Sequence, residues 1–162
     1  MFNLVVFIDI KIDTVNHDIL LKKPEFYGIK GQALDLLKSY LPNRHQKCQV
    51  ESFVSSKHLI ECGVPQSSIL GPLVFLLYIN DLPECLKNTR PRLFADDTNF
   101  TASSHSIADI EIAVNCDLEN LRNWLMANKL SLNVAKTEFM LIGSPQMIRN
   151  ASNSQPNILI EK

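Results

Sequence analysis

The sequence lacks a surplus of positive charge. Its formal charge is -1 and its isoelectric point is about 6.4. That balance excludes the broad basic surface with which a self-sufficient nucleic-acid binder neutralises phosphates. Cysteine is sparse and unpaired in spacing. Cys48, Cys62, Cys85 and Cys116 form no CxxC or CxH arrangement, which speaks against a zinc site or a disulfide framework. They read as small core hydrophobes in a reducing compartment. No signal peptide is visible: MFNLVVFIDI has no basic stretch ahead of it and no small-residue cleavage site, and it contains Asp9. Long hydrophobic runs are missing too. The longest, Ile69 to Ile79, is interrupted by Gly71 and Pro72 and has about half the length of a membrane span. These absences predict a soluble intracellular protein with no membrane partner, and do not separate nucleus from cytoplasm. There is no internal repeat. With 162 residues, 46% of them hydrophobic, the chain is long enough for one well-buried domain and too short for two.

What is present begins with LVVFIDI, Leu4 to Ile10, apolar and β-branched at nearly every position, as in a strand covered on both faces. Asp18–Tyr27 and Gln32–Leu41 read as helices, the first kinked or cut short by Pro24. Gln46–Val54 and Ser56–Cys62 have strand composition, Val64–Pro72 reads as a loop, and an apolar, buried helix is predicted over Leu73–Asn80. Leu82–Pro91 reads as a polar exit loop. Arg92–Ala95 and Thr98–Ala102 then flank a tight turn holding Asp96 and Asp97. Ser106 with Asp109 opens an amphipathic helix with an apolar stripe of Ile107, Ile110, Val114, Leu118, Leu121 and Leu125. Leu130–Val134 and Glu138–Ile142 are strand-like, and a polar tail follows from Ser144 to Asn157.

An ionisable residue near the end of a buried strand needs a reason, and so does an acid pair at a hairpin tip. If the sheet sets Asp9 beside Asp96 and Asp97, three carboxylates converge. Such hard-oxygen donors can hold two divalent ions roughly 3.5–4 Å apart for phosphoryl transfer. An Asp pair also follows from turn preference alone. Trp124, at helical spacing from Leu121 and Leu125, could stack on a base or sit at a core rim. Lys22, Lys23, Lys30, Arg44, His45 and Lys47 form the one locally basic region, either a phosphate track or a solvated face.

VFIDI, GVPQSSILGPLVFLLYINDLP, LFADDTN and NWLMANKLSLNVAKTEFMLIG occur in this order. Together they resemble the palm motifs of reverse transcriptases of non-LTR (LINE-like, jockey-type) retrotransposons, with the likeness running to about Gly143. The resemblance implies an α+β fold, the palm of a right-hand polymerase: a mostly antiparallel sheet with helices packed on one face. It places the palm at residues 1–143, with 144–162 a polar tail leading toward a primer-grip region. It implies RNA-directed DNA synthesis by two-metal nucleotidyl transfer, with Mg²⁺, or Mn²⁺ in its place. RNA template, DNA primer and deoxynucleoside triphosphates are the implied partners. By the same likeness Asp9 and Asp96 ligate metal and Asp97 completes the acidic pair. Gln66, with Ser67 and Gly63 in its loop, lies where template and incoming nucleotide meet, and Lys136 lies near the pyrophosphate as general acid or counter-charge. Taken alone, Gln66 could equally be a turn residue bonding backbone, and Lys136 a solvated strand-end lysine.

The chain departs from the family pattern in several places. Where the family has K-K-A-F-D-T-V, this sequence has Lys11-Ile12-Asp13-Thr14-Val15, shorter by two positions and without the aromatic that crowds the sugar 2′ position; Ile12 stands nearest to it. Ser67 replaces the glycine of PQG, and Pro24 stands where a leucine is general. The fingers segment, primer grip, thumb and endonuclease domain are expected to be missing. The isolated chain is therefore expected to be a weak or inactive polymerase fragment. Two other readings stand beside this one: a remnant of a decayed element, and a non-catalytic nucleic-acid-binding or assembly module.

Overall fold

A computed structural model describes all residues except 66, 67, 96, 151–154, 161 and 162. In chain order the elements are β1 (Phe2–Asp9), α1 (His17–Phe26), α2 (Gln32–Tyr40) and four two-residue strands, β2 (His45–Gln46), β3 (Gln49–Val50), β4 (Phe53–Val54) and β5 (His58–Leu59). They are followed by α3 (Leu70–Ile79), β6 (Arg90–Phe94), β7 (Asp97–Ser104), α4 (Ile107–Ala127), β8 (Glu138–Ile142) and α5 (Pro145–Asn150). Length alone suggests one core, but the chain forms two compact units: 1–11 with 80–162, and 12–79.

The first unit is an antiparallel sheet in the order β6-β7-β1-β8. β1 is central in the ladder but is covered on one face only: Phe7, on the other face, is exposed, so the expected cover on both faces is not found. Phe2, Leu4, Val6 and Ile8 are buried, with Phe100 and Ala102 of the neighbouring β7. α4 packs against this side of β7 and β1 through Ile110, Val114, Leu118, Leu121 and Leu125. Five of the six positions in the expected stripe are buried; Ile107, in the first turn, is half-buried. Ser106 caps the helix, its side chain accepting from Asp109 N. Pro91 is tolerated inside β6 because that strand is an edge of the sheet and needs no donor there. Trp124 is half-buried at the rim of α4.

The second unit holds α1, α2, α3 and the short strands. Asn16 caps α1, its Oδ1 accepting from Ile19 N at 3.1 Å. Pro24 is buried within α1, and the helix runs two residues past it to Phe26. α3 begins at Leu70, earlier than expected, so that Pro72 still falls in the first turn, where its missing N–H costs nothing. Its inner side buries Gly71, Val74, Phe75, Tyr78 and Ile79, whereas Leu73 and Leu76 are exposed; uniform hydrophobicity overstated its burial.

Other readings are also corrected. The stretch from 45 to 62 forms two-residue strand pairs, β2 with β5 and β3 with β4, all exposed because no apolar layer covers them, and a single bridge from Cys62 to Asn16. Leu130–Val134 contributes a single bridge, Ile10 to Leu132, before a 3-10 turn over Val134–Lys136. The polar tail contains α5 and returns to α4, where Asn115 grips its backbone: Nδ2 donates to Asn157 O and Oδ1 accepts from Leu159 N. Cys48, Cys62 and Cys116 are exposed rather than in the core. Cys85 is half-buried. Burial, with the Asp117 carboxylate nearby, pushes its thiol up to about 11 and leaves it inert.

The residues 82–91 are no simple loop. A 3-10 turn, Leu82–Cys85, buries Leu82, and Asp117 on α4 anchors the following segment. Its carboxylate, in a fully buried residue, accepts from the amides of Lys87, Asn88 and Thr89 at 2.8–3.0 Å and from the Thr89 hydroxyl at 2.7 Å. Burial pushes the carboxyl up, but the Thr89 hydroxyl and the Lys87 and Asn88 amides outweigh it and hold the group below its ordinary 3.8.

Because the folded value lies below the unfolded one, Asp117 contributes stability that is whole above pH 3.8 and is lost as pH falls through the lower folded value. Replacing Asp117 with Ala strands buried amides and should cost roughly 3 kcal/mol in urea denaturation at neutral pH. It should also flatten the acid limb of the stability profile. Thr98 behaves oppositely: its buried Oγ1 has no partner among the described residues, so Thr98→Val should be neutral or stabilising by up to about 1 kcal/mol in the same assay.

Candidate active site

The first unit sets two of the expected carboxylates side by side. In the β1–β7 ladder Asp9 pairs with Asp97, the last pair of the register that begins at Phe2 and Ser104. Residues directly opposite in an antiparallel pair project to the same side, with Cα atoms about 4.5–5.5 Å apart. Asp9 and Asp97 therefore share the face opposite α4. β6 and β7 form a hairpin whose last pair is Phe94 with Asp97. Ala95, just after β6, has a positive φ of 54°. An alanine in that region is strained by about 1–2 kcal/mol. Asp96 lies outside the described residues.

Two like charges directly opposite across a ladder repel. Lys136 offsets this: its Nζ lies 2.8 Å from Asp9 Oδ2. The lysine comes from the 3-10 turn Val134–Lys136, which is tied to the same residue, because Asn133 N donates to the Asp9 carbonyl at 2.9 Å. Thr137 steadies the turn by donating its hydroxyl to Asn133 O at 3.0 Å. Asp9 is largely covered, its side chain 21% exposed, whereas Lys136 is 69% exposed, so the cation can leave more readily than the anion.

The same sheet face carries Phe7 and Asn99 in the next rung, with Arg92 opposite Asn99, and Val5 and Thr101 beyond, with Arg90 opposite Thr101. Arg90 and Arg92 are exposed. Sequence reading passed over these arginines because it looked for a basic run, and a strand separates them by one residue that points to the other face.

In the second unit, Ile12 is half-buried in a 3-10 turn, Ile12–Thr14. Gly63 is buried, with φ at 81°. Its amide donates to Val15 O at 2.7 Å, and its carbonyl accepts from His17 Nε2 at 2.8 Å. A Cβ at Gly63 would lie 3.0 Å from the Asp13 backbone oxygen. Gln66 and Ser67 lie outside the described residues. Beyond them, Tyr40 donates to Ser68 Oγ at 2.5 Å, and Ser68 donates to Pro65 O. Two of the six basic residues noted in the sequence are held by tyrosines: Lys23 Nζ sits 4.9 Å from the Tyr78 ring centre and Arg44 4.4 Å from that of Tyr40.

Among the described residues no three His, Cys, Asp or Glu side chains converge as a metal-holding group. Asp9 and Asp97 alone offer two adjacent sets of hard carboxylate oxygens at the solvent edge of a sheet, a donor chemistry that fits Mg²⁺ or Mn²⁺. No described helix is long and apolar enough to cross a membrane.

An antiparallel sheet with helices on one face and acids at a hairpin on the other defines a polymerase-type palm. The family model for reverse transcriptase (RNA-dependent DNA polymerase) matches residues 3–159, and the chain belongs to that family. Its relatives are polymerases of non-LTR retrotransposons. It is 31% identical over 147 residues to a probable RNA-directed DNA polymerase from transposon BS of Drosophila melanogaster, covering 82% of this chain and 16% of the relative. It is 29% identical over 141 residues to the RNA-directed DNA polymerase from mobile element jockey of Drosophila funebris, covering 80% of this chain and 15% of that one. The chain thus spans about a sixth of the length of these relatives. Among solved structures, apo telomerase from Candida tropicalis, truncated from its C-terminal domain, shares the fold with a TM-score of 0.59 at 15% identity, over 88% of this chain and 32% of that one.

Gly63→Ala should destabilise the protein by about 1–3 kcal/mol, since positive φ and a close backbone oxygen act together. A midpoint in urea equal to that of the parent would contradict this origin of the constraint.

Proposed function

We propose that this chain carries the nucleotidyl-transfer centre of an RNA-directed DNA polymerase, with Asp9, Asp97 and Asp96 as the acidic set. The observation that carries the reading is the in-register pairing of Asp9 with Asp97 on the open sheet face, with Lys136 at Asp9. Two Mg²⁺ ions held by these carboxylates would supply the Lewis acidity that activates a primer 3′-hydroxyl and steadies the leaving pyrophosphate. Asp9 ends the central strand, its backbone held by pairing with Asp97 and by Asn133 N at its carbonyl. Lys136 offers a proton or positive charge to the departing pyrophosphate.

The partners of this reading are an RNA template, a DNA primer and deoxynucleoside triphosphates. Arg90 and Arg92, on the carboxylate-bearing face, supply local positive charge for a phosphate backbone that the overall charge does not offer. Gln66, Ser67 and Gly63 are assigned to the nucleotide, and Ile12 to the sugar edge. The glycine turn gives the backbone the freedom that close approach to a nucleotide needs.

A remnant that has lost activity is the second reading, and the segment Lys11–Val15, shorter than the family pattern, favours it. Pro24 argues less for decay than its position suggests, because α1 accommodates it.

The test is primer extension on an RNA template with Mg²⁺ or Mn²⁺. The expected outcome is addition of a few nucleotides at most, reduced on the order of a hundredfold or more by Asp9→Asn. Extension that survives both Asp9→Asn and Asp97→Asn would sink the assignment. No extension from a chain that circular dichroism shows to be folded would select the inactive remnant.

A further inference from the structure

We propose that Lys136 is a tethered counter-cation that occupies the divalent-cation position at Asp9, so that metal entry and lysine release are one event. This rests on the reading that Asp9 ligates metal. Lys136 Nζ lies at 2.8 Å from Asp9 Oδ2, one of the two oxygens through which that carboxylate would hold an ion. An ammonium and a divalent ion on one partly buried carboxylate repel each other, so the two compete for it.

The competitor is built into the site. The turn that bears Lys136 is hydrogen-bonded to Asp9 itself through Asn133 N, and the adjoining segment is bridged to β1 at Ile10 and Leu132. Thr137 then leads into β8, which pairs with β1 from Glu138 to Ile142. The backbone around Lys136 is thus fixed on both sides, while the side chain, 69% exposed, can swing away without moving the turn. Before metal binds, Lys136 balances part of the repulsion between Asp9 and Asp97. Once metal binds, the released ammonium remains within a side chain's length of the carboxylates, where a phosphate group coordinated at the site would meet it. The exchange sets an affinity threshold for the metal and frees the lysine only when the metal is in place.

The experiment uses the full chain and two readouts independent of polymerisation. Free Mn²⁺ is titrated with protein and followed by electron paramagnetic resonance. Lys136 acylation by a small reagent is followed by mass spectrometry with and without Mg²⁺, with Lys22 as the internal reference. Lys136→Gln should bind Mn²⁺ roughly two- to fivefold more tightly, the range for a largely exposed ion pair, and Lys136→Arg should match the parent. Mg²⁺ should raise Lys136 labelling relative to Lys22 in the parent. Asp9→Asn should raise it without metal. The proposal is overturned while the metal reading stands if the parent binds Mn²⁺ but Lys136→Gln binds no more tightly and labelling ignores Mg²⁺. Absence of Mn²⁺ binding in the parent and in Lys136→Gln, with both folded by circular dichroism, overturns the metal reading and this inference together.

Discussion

Two carboxylates held opposite one another across a pair of strands is the constraint around which the first unit is built. Asp9 and Asp97 face each other because β1 and β7 pair without a slip from Phe2 and Ser104 onward. A slip of one residue would send every apolar side chain of β1 to the open face and bury Asp9. The register that buries Leu4, Val6 and Ile8 under α4 is therefore the one that presents Asp9 to solvent with Asp97. Packing energy, delivered by residues that never touch a ligand, holds the like charges together. Ala95, just after β6, adopts the positive φ with which the chain leaves that strand.

Asp117 plays a similar part at a distance. Its carboxylate gathers the amides of residues 87–89, the segment that leads into β6. β6 is an edge strand with Pro91 inside it, so its ladder alone is weak. Fixing the entry to the strand from α4 compensates, because β6 then enters the ladder from an anchored end. The acid at the hairpin thus depends on a second acid buried under the sheet, whose job is structural.

Much of this was legible in the sequence. The β-branched run from Leu4 and the capped helix from Ser106 each combine a strong period with a local signal, and each was found in place, whereas Asp97, expected in the turn, opens β7 opposite Phe94. Asp117 was missed because a single acid inside an amphipathic helix looks like a solvated position. Its partners, Lys87 to Thr89, are backbone amides that leave no trace in side-chain pattern. The strands expected between Gln46 and Cys62 shrank to two-residue pairs, since composition reports a preference while a strand of useful length needs a layer to cover it. The early start of α3 at Leu70 shows the converse: a proline in the first turn marks the neighbourhood of a helix start without marking its first residue. The pairing of Lys136 with Asp9 had no local signal at all, because it joins residues from opposite ends of the unit.

The near-neutral charge also takes on a different meaning in three dimensions. A net charge of -1 describes the average of the chain, whereas a phosphate responds to the charges within about a Debye length, roughly 10 Å at moderate salt. On the open sheet face Arg90 and Arg92 stand one rung apart at the edge strand, and Asp9 and Asp97 lie at the end of the same ladder. Positive charge along the face and negative charge at its tip give the face a polarity along the ladder. Among the described residues, Lys136 is placed directly on Asp9 and is largely exposed. What the chain as a whole lacks in positive charge, this face therefore distributes by position, which net charge cannot report.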